Sequence, residues 1–311
     1  MNRNKMFATV NICGGLGNQL FQLATLLKTS QDNKVSAFVE RLPLSSSCNE
    51  PRPTYWTTLL SGLNPVISPT PPPDSLQDVV VPETRPVRPL TLPPPAVGNA
   101  GCVYRLVGFF QSAQFFDGME GELHRLFVPP RLAQEAVGHL HEYYNPMENP
   151  DVHFIALHVR RGDYLTMKDT FAILEHDYYD AAVRQLLGSI AKKEELRLSR
   201  SSSTTKRFAL LIFSEDEVYG ATLAGYFKTK FSGLHTQLVR TEEGYKACMP
   251  RDVLELLMMA QCQDVVMANS SFSWWAAYLN KVPLARIVAP SRWFVKEPLA
   301  AHIYCKEWLV L

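Results

Sequence analysis

What is scarce in this chain of 311 residues narrows the field first. Charge of either sign is not in excess: 31 Lys and Arg against 30 Asp and Glu give a formal net charge of +1. A nucleic-acid surface or a polybasic membrane contact needs a clustered excess of Lys and Arg, so neither is expected. Long hydrophobic runs are missing as well. The N-terminal run Met6–Ile12 stops after seven residues, short of the ~20 that a membrane span needs, and no small-residue cleavage site follows it. The chain therefore reads as soluble and cytoplasmic with no membrane segment, although a chain shorn of an anchor would read the same way. The six cysteines are scattered, without a C-x-x-C pair or metal-ligand spacing, which suits a reducing compartment and no structural zinc.

What is present is an ordinary globular balance, 46% hydrophobic and 20% charged, in a chain long enough for two domains. Strand and helix patterns alternate. Strand-like runs are Met6–Ile12, Lys34–Val39, Cys102–Gly108, His153–Val159, Phe208–Phe213, His235–Val239, Asp264–Ala268 and Ala285–Ala289. Helical patterns follow at Asn18–Lys28, Leu132–Tyr144, from Asp177 past Ile190, after Ser214-Glu-Asp-Glu217, at Arg251–Cys262, and from Asn269 through Leu279. An amphipathic segment covers Ser112–Phe127, and Ser199–Thr205 is a polar spacer loop. Half of the 22 prolines lie between Pro65 and Pro95, so that stretch is expected as an extended surface loop. Asn145–Pro150 is the best boundary, giving residues 1–148 and 149–311 as two Rossmann-like, parallel-sheet α/β domains facing a cleft.

Charges arrive where strands end. His158-Val-Arg-Arg-Gly-Asp-Tyr164 follows a buried-strand pattern, and open α/β sheets bind ligands at the C-terminal ends of their strands. Arg160 and Arg161, with Gly162 letting the backbone turn away, suit a diphosphate clamp, because the guanidinium fork matches phosphate oxygens. The plainer reading is a surface charge pair capping a strand. Gly14-Gly-Leu-Gly17 precedes a helix and permits close backbone approach, but it lacks the Lys-Ser/Thr of a P-loop and does not match G-x-G-x-x-G; a simple tight turn explains it equally. Asn269-Ser-Ser271 places N–H groups and hydroxyls at a helix start, which is either an anion site or plain capping. Trp274 and Trp275 fit core packing better than a sugar platform.

Taken together, Gly14–Gln22, Gly108–Ser112, His158–Tyr164, Phe213–Asp216 and Asn269–Trp275, in that order, resemble the α-1,2-fucosyltransferase family. The resemblance covers most of the chain outside the proline-rich segment. It implies the two-domain glycosyltransferase-B fold and transfer of L-fucose from GDP-fucose to a sugar hydroxyl, with inversion, at O-2 of a terminal β-galactoside. It also implies that His158, Arg160, Arg161, Asp216, Glu255, Asn269, Ser270, Ser271 and Phe272 form the donor site. Gly15, Gly17, Asn18 and Gln19 would line the cleft from the N-terminal domain. Members of that family commonly have aspartates where this chain has Glu215 and Glu255, so the guanine contact is the least secure part of the likeness. Arg160 is the expected electrophilic group at the β-phosphate. Asp163 is either the catalytic base or the residue that holds the arginines. No cofactor or metal is expected, since the arginines supply the positive charge that a metal would bring. A fucosyltransferase of different linkage, or a non-catalytic nucleotide-sugar or glycan-binding protein, would share these features.

Overall fold

The structure, a computed structural model, describes residues 5–45, 51–94, 101–143, 152–198, 207–240, 249–296 and 302–311. The boundary segment Asn145–Pro150, the spacer Ser199–Thr205, Cys48 and Cys248 lie outside the described residues.

In chain order the elements are β1 (Lys5–Val10), α1 (Leu16–Asn33), β2 (Ser36–Ala37), β3 (Gln77–Pro82), β4 (Gly101–Val107), α2 (Glu120–Phe127), α3 (Pro130–Glu142), β5 (Val152–Val159), α4 (His176–Leu198), β6 (Arg207–Ser214), α5 (Glu217–Lys230), β7 (Leu234–Leu238), α6 (Arg251–Ala260), β8 (Asp264–Val266), α7 (Ser271–Tyr278), β9 (Arg286–Ala289) and β10 (Leu309–Val310). Two compact units result: Met1–Pro129 with His302–Cys305, and Pro130–Ala301 with Lys306–Leu311. Each carries one wholly parallel sheet, so the α/β class expected from the alternation is what the chain adopts.

The first unit's sheet runs β2-β1-β4-β3. β1 and β4 are largely apolar and buried, with α1 packed against β1. β3 corrects the expectation of a featureless loop between Pro65 and Pro95. Val79, Val80 and Val81 supply enough β-branched residues for a strand, and the flanking prolines confine it to the sheet edge, where a missing N–H is tolerated. Val80 accordingly stays 64% exposed. Cys13 is disulfide-bonded, which the scattered spacing, read as suiting a reducing compartment, did not signal. Cys102 and Cys262 are buried free thiols.

The second unit's sheet runs β10-β9-β8-β5-β6-β7. β5 and β6 sit near the middle and are covered on both faces, which is why Phe-Ile-Ala-Leu and Phe-Ala-Leu-Leu-Ile-Phe read as continuous apolar runs rather than alternations. α3 belongs here because it packs on α6. The compact division thus falls at Pro129/Pro130, ahead of the Asn145–Pro150 segment where sequence composition placed it. Trp274 and Trp275 are fully buried, Trp274 against Tyr278 and Trp308, so they are core side chains as expected. Among the described residues no helix is long and apolar enough to cross a membrane.

At the N-terminal ends of the central strands lies a buried ionic junction. Asp264, fully buried at the start of β8, accepts from His153 Nε2 of β5 at 2.6 Å and from Arg286 Nε of β9 at 2.8 Å. Arg286 Nη1 also donates to the Leu186 carbonyl of α4 at 3.0 Å. One carboxylate therefore ties three strands and, through Arg286, a helix. Removing one partner of such a pair strands the other without compensation, typically at about 3–5 kcal/mol. Because Arg286 keeps 21% of its side-chain surface, Asp264→Ala is expected toward the lower end of that range. Urea unfolding measures it, and a loss below about 1 kcal/mol would show that the junction is not a stabilising lock.

Candidate functional site

The second sheet has a single reversal of strand order. From β5 the chain goes outward through β6 and β7, then returns to β8 on the other side of β5. At such a switch point the connections leave in opposite directions and open a crevice at the strands' C-terminal ends. The end of β5 and the turn after it carry His158–Asp163, and the loop after β8 with the start of α7 carries Asn269–Phe272, so these two segments flank the same crevice. Their contacts confirm it. The His158 and Phe272 rings lie 5.5 Å apart, and the Tyr164 hydroxyl donates to the Asn269 carbonyl at 3.0 Å.

His158, 5% exposed, is the last residue but one of β5. Burial, and then the neighbouring charge of Arg160, push its imidazole down to about 3, so the ring is neutral at physiological pH. Its Nδ1 has no hydrogen-bond partner within the protein. A neutral imidazole has one donor and one acceptor nitrogen, which fits an uncharged hydrogen-bonding role.

The two arginines are held differently. Arg161 is enclosed, its side chain 15% exposed. Its guanidinium lies 4.1 Å from the centre of the Tyr219 ring, 3.3 Å from Glu175 Oε2 and 3.4 Å from Asp216 Oδ2. Arg160 is more open, at 31%; its Nη2 meets Asp163 Oδ1 at 2.6 Å, and its Nε lies 3.7 Å from Glu215 Oε1. Asp163 itself is 40% exposed. Exposed ion pairs of this kind are worth little and exchange readily. Arg160 is therefore the arginine that an incoming anion can recruit.

On the other flank, Asn269 is fully buried and donates its amide to the carbonyls of Ala172 and Trp293, at 2.8 and 2.9 Å. That fixes the loop from which α7 starts. Ser270 is the N-cap, its hydroxyl accepting from the Phe272 N–H at 3.3 Å, while Ser271 and Phe272 are half-buried. The free N–H groups of the first turn and the positive end of the helix dipole favour an anion there.

Asp216 and Glu255 are each engaged by protein groups. Asp216 N-caps α5 by accepting from the Tyr219 N–H at 3.0 Å, besides pairing with Arg161. Glu255, 13% exposed, accepts from Arg251 Nε at 2.8 Å one helical turn away and lies close enough to Tyr143 to act on its phenol. Glu175 and Tyr219, which complete the Arg161 cage, carried no signal in the sequence: each sits in an unremarkable helix-start segment, and only the fold brings them to Arg161.

In the first unit, Gly14 adopts φ +77°, and a Cβ there would meet Asn18 Nδ2 at 2.7 Å, so the turn requires glycine. Gln19 is buried and donates to the carbonyls of Gly14 and Pro53, at 3.0 and 2.8 Å. Gln22 accepts from the Cys13 N–H at 3.0 Å, and Asn18 accepts from Gln111 at 2.8 Å. Of the four residues expected to line a ligand surface, Gly15 is exposed and Asn18 half-buried, whereas Gly17 and Gln19 are buried and Gln19 holds the loop.

Comparisons with known proteins follow this geometry. Residues 235–311 match the family model Glycosyl transferase family 11. The chain is 26% identical over 199 residues to O-antigen biosynthesis glycosyltransferase WbnK of Escherichia coli, covering 61% of this chain and 55% of that protein. It is 25% identical over 208 residues to an alpha-1,2-colitosyltransferase of Escherichia coli, covering 65% of this chain and 60% of that one. With galactoside alpha-(1,2)-fucosyltransferase 1 of Sus scrofa it shares 25% identity over 310 residues, 95% of this chain and 72% of that protein. The chain thus spans less than two thirds of the length of the two bacterial relatives. The likeness expected from the five sequence segments is found: residues 235–311 are similar to Glycosyl transferase family 11, and the chain is similar to proteins named for α-1,2 transfer of fucose and of colitose.

Proposed function

We propose that this protein is an inverting glycosyltransferase that moves L-fucose from GDP-fucose to O-2 of a terminal β-galactoside in a glycan. The observation that carries the proposal is the crevice at the β5/β8 switch point, with Arg160 on one flank and the N-terminus of α7 on the other. Such a pair of positive groups fits a diphosphate, and the similarity to a protein named as a galactoside alpha-(1,2)-fucosyltransferase supports the sugar and the linkage.

Cleavage of the sugar C1–O bond puts negative charge on the departing diphosphate and positive charge on the ring. Groups fixed at the β-phosphate stabilise that transition state more than the bound substrate. In this reading Arg160 leaves its exposed pairing with Asp163 to reach the phosphate, while the first turn of α7 binds from the other side. Neutral His158 adds a hydrogen bond without changing the charge. Asp163 orients Arg160, a role supported by their 2.6 Å contact over that of a base acting on the acceptor. Arg161 braces the turn beneath. Incubation with GDP-fucose and a panel of β-galactosides, followed by linkage mapping of the product, tests the assignment. Transfer to another position would keep the enzyme class and overturn the linkage, whereas transfer from a different activated deoxysugar, as the name of the colitose-transferring relative would suggest, would overturn the donor.

Arg160→Ala is expected to lower turnover about ten- to a few-hundred-fold, because a charge-assisted hydrogen bond contributes roughly 1.5–3 kcal/mol. Arg160→Lys should recover only part, since a point charge does not replace the fork. Near-normal turnover of the alanine variant would remove Arg160 from the site.

Transfer is expected to need no divalent metal. The acidic run Glu215-Asp-Glu217 is occupied by cations of the protein: Glu215 near Arg160, Asp216 with Arg161 and Glu217 with Arg240. Activity lost in EDTA and restored by magnesium or manganese would refute this.

Glu255 is assigned to the guanine, whose N1–H and exocyclic amine both donate to one carboxylate. Glu255→Gln should weaken GDP binding by about 1–3 kcal/mol in calorimetry. Unchanged affinity would leave the Arg251 ion pair as the residue's whole role.

A further inference from the structure

We infer that Glu215 is a positioning residue whose reach, rather than its charge, sets the turn that presents Arg160, and that Gly162 is glycine so that this strut fits. The inference rests on the reading of Arg160 as the donor-phosphate ligand. β5 and β6 pair in parallel with Val159 opposite Ser214, so Arg160 and Glu215 leave the sheet side by side. The exit of β6 is fixed by Ser214, whose hydroxyl accepts from the Asp216 N–H at 3.1 Å and donates to the Asp216 carbonyl at 3.0 Å. From that fixed point Glu215 extends across the gap, and its Oε1 accepts the backbone N–H of Arg161 at 2.8 Å. The same oxygen lies 3.7 Å from Arg160 Nε. The Arg161 N–H opens the short 3-10 turn Gly162–Thr166, where backbone donors lack a partner within the turn. Glu215 supplies that partner from the neighbouring strand.

Gly162 makes room for the crossing. A Cβ built there would stand 3.0 Å from Glu215 Oε1 and 3.1 Å from its Cγ. Glu215 cannot readily give way, because Oε1 is tied to the Arg161 amide. Asp at 215 would fall one methylene short of that amide. Gln keeps the length and one oxygen that accepts, exchanging the charge and the second acceptor for an amide NH2.

Two measurements on the full chain decide the matter. In GDP-fucose turnover, E215D is expected to lose about tenfold or more in kcat/KM for the donor with acceptor KM unchanged, whereas E215Q restores the rate to within a few-fold of wild type. The reverse order, with E215D active and E215Q impaired, would overturn the strut in favour of a charge-based role. In thermal unfolding, G162A should lower Tm by about 3 °C or more in the wild-type background and by much less in E215A, where the crossing side chain is gone. An equal loss in both backgrounds would overturn the packing argument. The unfolding cycle needs no substrate, so it tests the strut even if wild-type protein proves unable to use GDP-fucose, an outcome that would sink the proposed function instead.

Discussion

Parallel pairing of β5 with β6 on one side and β8 on the other is the constraint from which the rest of the second unit follows. It sends all three C-terminal ends to one edge and leaves the connections to diverge between β5 and β8. Covering both faces makes the strands apolar throughout, so polar and charged residues are confined to their ends. At the start of β8 the charge is locked in the Asp264 junction with His153 and Arg286. At the other end it is left in pairs that open more readily, as the 31% and 40% exposure of Arg160 and Asp163 shows. The same sheet thus has a buried ionic edge and a more exposed one.

Four carboxylates stand around Arg160 and Arg161, an unexpected surrounding for an anion clamp. The exposure of each pair resolves this. Arg161 is enclosed by Tyr219, Glu175 and Asp216, so its charge is spent on holding the turn. Arg160 pairs where solvent already screens the interaction, so exchange for a phosphate oxygen costs little. Two adjacent residues of one type thus differ in engagement, Arg161 at 15% exposure being caged and Arg160 at 31% being the more open. The depressed imidazole of His158 belongs to the same economy of charge: a protonated ring beside Arg160 would add repulsion within a buried space.

The alternation of strands and helices, the positions of β1, β4 to β9 and the placing of His158–Asp163 and Asn269–Phe272 at strand ends were all legible in the sequence. These features rest on local periodicity, capping residues and short motifs, which need only neighbours along the chain. Trp274 and Trp275 were legible for the same reason, since an apolar helix interior predicts its own burial. The segment between Pro65 and Pro95 was misread in one respect, because proline excludes a central strand without excluding β3 at the edge, and only the presence of β4 beside it decides between strand and loop. The disulfide of Cys13 was not legible, because spacing in sequence does not reveal which thiols meet.

By itself, then, the sequence determined the α/β class, the order of the elements and the charged residues that arrive at the sheet's C-terminal edge. The tertiary structure decided which of those residues touch. Glu215 meets the Arg161 amide across 54 positions of sequence, and Tyr164 meets Asn269 across 105. Such contacts depend on strand register and on the order of strands in the sheet. No local pattern encodes either, because register is chosen by burial of whole strands rather than by the residues that the choice brings together.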